Sequence, residues 1–261
     1  MLLTEGILVQ GIEVFLLIFI RMTGLFVIAP IFSRTNIPRY VKIGFSFMLA
    51  LILVNTISNQ NINISNIYEF AALVFREFIV GITLGYVSYA IFTAIYVAGE
   101  LIDMQMGFGV VNVIDPISNI QVSISSTFYF ILCMLIFLLC KGHYVLIRAL
   151  FRSYEYIPLG QAVFNTGLQD RIVEVFGGVF LIAFKIAAPI LAAILITDVA
   201  LGVISKTVPQ LNVFVVGMPL KIFLGLSVLV LTMPLFISIV ETLIRGMDSE
   251  MLNFLKSMGS K

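Results

Sequence analysis

Apolar residues dominate this chain in long runs separated by short polar breaks. The runs cover residues 7–32, 43–57, 70–98, 124–140, 173–205 and 213–240, and Glu13 and Arg21 interrupt the first. A membrane-crossing helix takes about 20 consecutive apolar residues. Residues 78–99 continue for 22 positions without a charge and residues 222–240 for 19, whereas 43–57 and 124–140 are short for a full crossing. Alanine, glycine and β-branched residues fill the runs without strict apolar–polar alternation, which argues for helices rather than barrel strands. The pattern predicts an all-α integral membrane protein of about five to six hydrophobic helices or hairpins, with no separate soluble domain.

The breaks carry the orientation signal. Residues 34–42 are basic (Arg34, Arg39, Lys42), residues 58–66 are rich in amides and hold no cation, and residues 141–171 carry Lys141, Arg148, Arg152 and Arg171. The tail adds Arg245, Lys256 and Lys261 against Asp248 and Glu250. If all six runs cross with 34–42 inside, the 141–171 break and the tail fall on the wrong face by the positive-inside rule. If residues 100–140 instead dip in and return, all three cationic segments lie inside. That arrangement predicts five crossings, an outer N-terminus and a cytoplasmic C-terminus.

Composition narrows the function classes. The 261 residues are 61% hydrophobic and 11% charged, with a mean hydropathy of +1.13. Soluble domains hold about 45–50% apolar and about 25% charged residues, so a soluble enzyme is excluded, and so is a disordered chain. Fifteen Lys and Arg against fourteen Asp and Glu leave +1 with no basic block, and no nucleic-acid partner is expected. Cys133 and Cys140 stand seven apart in one apolar run and read as core residues. His143 has no second His or Cys near it in sequence, so no metal site is expected. The start of the chain has no cationic region before its first apolar run, and no cleaved signal peptide is expected. No Ser/His/Asp set or paired catalytic carboxylates are found; the catalytic set is empty and no cofactor is implied.

The stretch 99–125 is the most unusual. Glu100, Asp103, Gln105, Asn119 and Gln121 are costly in hydrocarbon, and Gly107, Gly109, Asn112, Asp115 and Pro116 are turn or breaker residues. Irregular backbone at membrane depth persists only inside protein or along an aqueous cavity. Either this is a surface loop outside the membrane, or it is a re-entrant loop that occupies a pore. In the second case Met104, Met106 and Phe108 form a deformable seal and Gly107 and Gly109 let it move.

Intramembrane charges are expensive and pair inside bundles or serve function. Here Glu13, Arg21, Arg76, Glu77, Lys185, Asp198, Lys206, Lys221 and Glu241 interrupt the apolar runs or sit at their ends. Asp198 and Lys221 lie on the two arms of a hairpin expected to turn at Pro209, Gln210 and Asn212. Their pairing would set hairpin register or subunit contacts. The other reading is a stand-alone secondary transporter that moves protons on Asp198 or Glu241.

Three motifs then resemble a known family. They are RMTGLFVIAPIFS (21–33) followed by Ile37-Pro38, GELIDMQMGFG (99–109) with Asp115-Pro116, and DVALGVISKTVPQLNVF (198–214) followed by GMPLK (217–221). In this order they resemble the FliR family, a component of the flagellar type III protein export gate related to the SctT family of injectisomes. The run VVGMP (215–219) looks more flagellar. The resemblance implies a non-enzymatic pore subunit that joins FliP-like and FliQ-like subunits, with a FlhB-like export component nearby, and passes unfolded substrates through the bacterial inner membrane at the flagellar basal body. It further implies a FliP-like part over 1–168, a FliQ-like hairpin and tail over 169–261, and a plug loop at 104–121 comprising Met104, Met106, Gly107, Phe108, Gly109, Asp115, Pro116 and Gln121. Arg21, Glu100, Asp103, Lys185, Asp198, Lys206, Lys221 and Glu241 are the charges expected to serve assembly. The family's helices pack into an assembly that rises partly out of the bilayer plane.

Overall fold

The computed structural model describes residues 2–33, 37–57, 66–108, 123–208, 210 and 212–259. Among these are eight helices and no strand: α1 (Leu2–Ile28), α2 (Arg39–Ile57), α3 (Ile67–Met106), α4 (Ile124–Leu139), α5 (Gly142–Tyr156), α6 (Thr166–Thr207), α7 (Val213–Leu231) and α8 (Met233–Met258). Four stretches are long and apolar enough to cross a membrane: Gly11–Ile28, Ile67–Met106, Thr166–Thr207 and Val213–Leu231. The broken pair α4–α5 makes a fifth if taken as one span. The protein is an all-α membrane protein.

Two boundaries differ from the hydropathy pattern. The cationic break 141–171 contains α5, which hydropathy hides because the helix is amphipathic: Leu146, Ala149, Leu150, Ser153 and Tyr154 are buried while Arg148 is exposed. The apolar run 213–240 is two helices, because the α7 C-cap at Thr232 precedes Pro234 in the first turn of α8. A proline is tolerated in a first turn, where its missing N–H has no helical partner in any case. Pro189 lies inside α6 and Pro219 inside α7, and neither helix ends there.

The chain forms two compact units, each assembled from segments distant in sequence. The first comprises Met1–Ala90, Lys141–Val175 and Ile244–Lys261. Its α1 buries Leu17, Ile18, Met22, Leu25 and Phe26, a stripe of helical period. Gly24 lets α1 meet α3 backbone to backbone, since a Cβ there would lie 2.7 Å from the Phe78 carbonyl oxygen. Edge-on aromatic contacts join α1 to α2, with Phe15 and Phe47 ring centres 5.1 Å apart and Phe26 and Phe45 5.3 Å apart. The C-terminal part of α8 buries Ile244, Met247, Met251, Phe254, Leu255 and Met258, and the Val163 N–H donates to the Met258 carbonyl at 3.0 Å.

The second unit comprises Ile91–Cys140 and Phe176–Leu243. Here α3 buries Ile95, Ala98, Ile102 and Met106, and its Gly99 admits the backbone of Ser126 at a distance no side chain would tolerate. Tyr129 stacks on Phe236 at 4.4 Å, and Cys133 is buried in α4 as expected of a core residue. One stripe of α6 (Ala183, Ile186, Ala187, Ile190, Ile194) is buried, while Phe180, Phe184, Ile196, Val199 and Val203 on its other faces are exposed.

Candidate functional site

Asp103 stands near the C-terminal end of α3, between Glu100 and Gln105, and is 6% exposed. A buried carboxylate must find donors. Its Oδ2 accepts from the Ser123 hydroxyl at 2.7 Å and from the Ser125 N–H at 3.1 Å. Those groups open α4, where Ser123 is the N-cap and its Oγ accepts from the Ser126 N–H at 3.1 Å. The Ser126 hydroxyl donates to the Tyr96 carbonyl at 2.8 Å. Asp103 therefore serves the positive N-terminal end of α4. In doing so it joins the two ends of the segment that resembles the plug loop.

Met106 closes the other side of this neck. It is fully buried, and its side chain lies against Gly225 of α7 so closely that a Cβ at Gly225 would meet its thioether and Cε. Gly107 follows with φ +89°, a conformation that favours glycine, and the Phe108 N–H donates back to the Asp103 carbonyl at 3.1 Å. Met104 is 73% exposed on the opposite face of α3, where Glu100 is also exposed. Gly109, Asp115, Pro116 and Gln121 lie outside the described residues, as does Pro209.

The intramembrane charges fall into three kinds. Arg21 and Glu77 form a buried ion pair, Nε to Oε2 at 2.5 Å, with both side chains fully buried. Arg21 Nη1 also donates to the Ser153 hydroxyl at 3.0 Å, and Nη1 and Nη2 both reach the Ile157 carbonyl at 3.1 Å. Its guanidinium lies 4.1 Å from the Tyr154 ring centre. The second Glu77 oxygen accepts from the Gly160 N–H at 2.7 Å, and Arg76 donates to the Gly160 carbonyl at 3.2 Å. Hydrogen bonding at all three guanidinium nitrogens and both carboxylate oxygens is what makes this buried ion pair tolerable.

The second kind is the pair on the hairpin arms, in which Lys221 Nζ meets Asp198 Oδ1. Asn212 caps α7, its Oδ1 accepting from the N–H groups of Phe214 at 3.2 Å and Val215 at 3.4 Å. Gln210 is exposed in the turn. The third kind stands at the surface of its own helix: Lys185 is exposed, Lys206 is exposed in the last turn of α6, and Glu241 is half-buried on α8. Among the described residues no group of three or more His, Cys, Asp or Glu is placed to hold a metal ion.

Sequence reasoning had not placed Ser123, Ser125, Gly225, Ser153 or Gly160 at these sites. For Ser123 a signal exists, a hydroxyl residue just before an apolar helical run. For Gly225 the signal is a small residue in a proline-containing arm, which favours close packing against a neighbour. For Gly160 there is none, since it is needed only because of what the fold brings against it.

Residues 12–247 match the family model described as bacterial export proteins, family 1. The chain is 37% identical to the flagellar biosynthetic protein FliR of Bacillus subtilis (strain 168), over 94% of this chain and 95% of that one. It is 28% identical to the protein of the same name in Escherichia coli (strain K12), over 93% and 91%. With that of Aquifex aeolicus (strain VF5) the identity is 29%, over 84% and 85%. Near-complete coverage in both directions, at this level of identity, means that the chain belongs to bacterial export protein family 1, as a member of the FliR family.

Proposed function

We propose that this chain is a non-enzymatic membrane subunit of the flagellar type III export gate, forming part of the pore for unfolded substrates. On this reading residues 104–121 help seal the closed pore. The chain assembles with FliP-like and FliQ-like subunits, beside a FlhB-like component, in the bacterial inner membrane at the flagellar basal body. Its FliP-like part is 1–168 and its FliQ-like part 169–261. What carries the subunit reading is membership of the export family. The sealing part is supported by the neck, where Asp103 holds the start of α4 by two hydrogen bonds and Met106 is seated at Gly225. A loop whose two ends are tied can present its intervening residues as one body, which a seal requires.

The test is the mass and composition of the tagged chain's particle, extracted from its host's membranes in mild detergent. A large particle with two smaller hydrophobic proteins in several copies supports the pore subunit. A homogeneous particle holding one 28.9 kDa chain, or a homo-oligomer alone, overturns it. Replacing residues 106–121 by a short Gly/Ser linker tests the seal separately: the closed membrane becomes leaky to ions. An ion-tight membrane refutes the sealing role and leaves the subunit assignment standing.

A further inference from the structure

Between α1 and α2, within the first compact unit, lies an open cavity of about 320 Å³. That is near the lower end of small-ligand sites, about 300–1,000 Å³. Phe26, Val27 and Ile43 give it an apolar wall, and Arg39 and Lys42 stand at it from the first turn of α2. Two hydroxyls also line it, but both turn back on their own helices. Thr23 Oγ1 donates to the Ile20 carbonyl at 2.8 Å and Ser46 Oγ to the Lys42 carbonyl at 2.9 Å. The surface offered to a ligand is therefore greasy on one side and cationic at one end.

Those two properties select an amphiphile with an anionic head. Val27 and Ile43 are 59% and 55% exposed, so the apolar wall continues onto the outer face of the hairpin. A chain longer than the cavity can lie along that face. Tyr40, 76% exposed beside Arg39, is the residue type that gathers at the headgroup level of a bilayer. Basic pockets between membrane helices hold anionic lipid heads, with long cationic side chains reaching the phosphate from an apolar base.

We propose that this cavity binds one anionic phospholipid, its phosphate held by Arg39 and Lys42 and an acyl chain lying against Phe26, Val27 and Ile43. The lipid then fills a concavity between the two helices that their own side chains leave open. It also places the first turn of α2 at the headgroup level. Neither role depends on the export reading, because the site is made by one hairpin of one chain.

The test uses the tagged chain together with whatever subunits accompany it from the membrane. Phospholipid retained by the purified particle is quantified by headgroup for three chains: the native one, Arg39→Gln/Lys42→Gln, and Arg148→Gln/Lys256→Gln as a control of equal charge loss. The expected result is a several-fold loss of anionic phospholipid in the first variant only, with particle mass unchanged. Delipidated native particle is then titrated with phosphatidylglycerol, phosphatidylcholine and inorganic phosphate. Phosphatidylglycerol is expected to bind far better than phosphatidylcholine, and Ile43→Asn to weaken it. Equal lipid retention by all three chains overturns the proposal. So does inorganic phosphate displacing phosphatidylglycerol at equal concentration with no effect of Ile43→Asn, which would make this a simple anion site. If Arg39→Gln/Lys42→Gln loses a protein subunit while keeping its lipid, the cavity is a protein interface and the proposal falls. Should the double variant not accumulate, Arg39→Gln alone, an exposed position, gives the same comparison.

Discussion

Arg21 is the side chain whose environment departs furthest from its sequence neighbourhood. It lies in an apolar helix, yet Glu77, Ser153 and the Ile157 carbonyl give each of its three nitrogens a partner, and the Gly160 N–H donates to Glu77. Removing one member leaves the other charge buried and unpaired, which typically costs about 3–5 kcal/mol. Replacing both by apolar residues of similar size costs much less, because no charge is then desolvated. Arg21→Met and Glu77→Leu are each expected to lower the thermal stability of the detergent-solubilised chain strongly, and the double variant to recover most of the loss. Additive losses measured by thermal scanning would show that the pair is not a closed network. Gly81→Ala belongs to the same neighbourhood, since its Cβ would strike the Arg21 carbonyl oxygen. Backbone cannot give way as a flexible side chain can, so this single methyl is expected to prevent stable accumulation.

For the elements, the question is how α4 begins. Ser123 caps it from within and Asp103 from α3, so two acceptors serve its first N–H groups. Asp103→Ala removes one acceptor and the negative charge at the helix N-terminus, with an expected cost of about 1–2 kcal/mol. Asp103→Asn keeps an acceptor oxygen and is expected to lose less. The readout is the rate at which a maleimide labels a cysteine placed at position 125, 3% exposed in the native chain, in a background without Cys133 and Cys140: fastest in Asp103→Ala, intermediate in Asp103→Asn. Equal rates in all three would mean that the neck does not order the loop boundary. Gly225→Val should raise the same rate by pushing Met106 off α7. Met106→Ala in that background should not raise it further, because the seat is already lost.

At the scale of the whole molecule, helix length bears on topology. Helices of 40 and 42 residues, as α3 and α6 are, run about 60 Å at 1.5 Å per residue. That is about twice the hydrocarbon thickness, and a tilt of about 40° does not close the gap. Part of each helix therefore extends beyond a single bilayer core, and apolar length alone does not count crossings. The exposed apolar faces of α6 and α7, with Asp198 paired to Lys221 between their sequences, fit the assembly role under the export reading. Asp198→Lys is then expected to reduce co-extraction of the accompanying subunits, and Asp198→Lys/Lys221→Asp to restore much of it. Loss on the single change without recovery by the swap would place the role of Asp198 outside this pair.

Some of this was legible without coordinates. The helical class follows from run length and the lack of alternation, because a backbone in hydrocarbon must satisfy its own hydrogen bonds. The charges were visible as exceptions, since each is costly where it stands, and the motif order pointed to the family. What the residues could not announce was partnership. Lys221 is an exception, since it could be matched with Asp198 from their places on the two hairpin arms. Asp103 and Arg21 read alike as intramembrane charges, yet one caps a helix and the other completes a buried ion pair. Amphipathic α5 was hidden inside a cationic break, because hydropathy averages over faces that only burial separates. Gly225 and Gly160 matter through what lies against them, and Met106 differs from Met104 only in the direction of its side chain. Chain chemistry by itself determined which groups needed partners and which surfaces avoid water. Tertiary structure alone decided the partners, because they are set by distances between residues far apart in sequence.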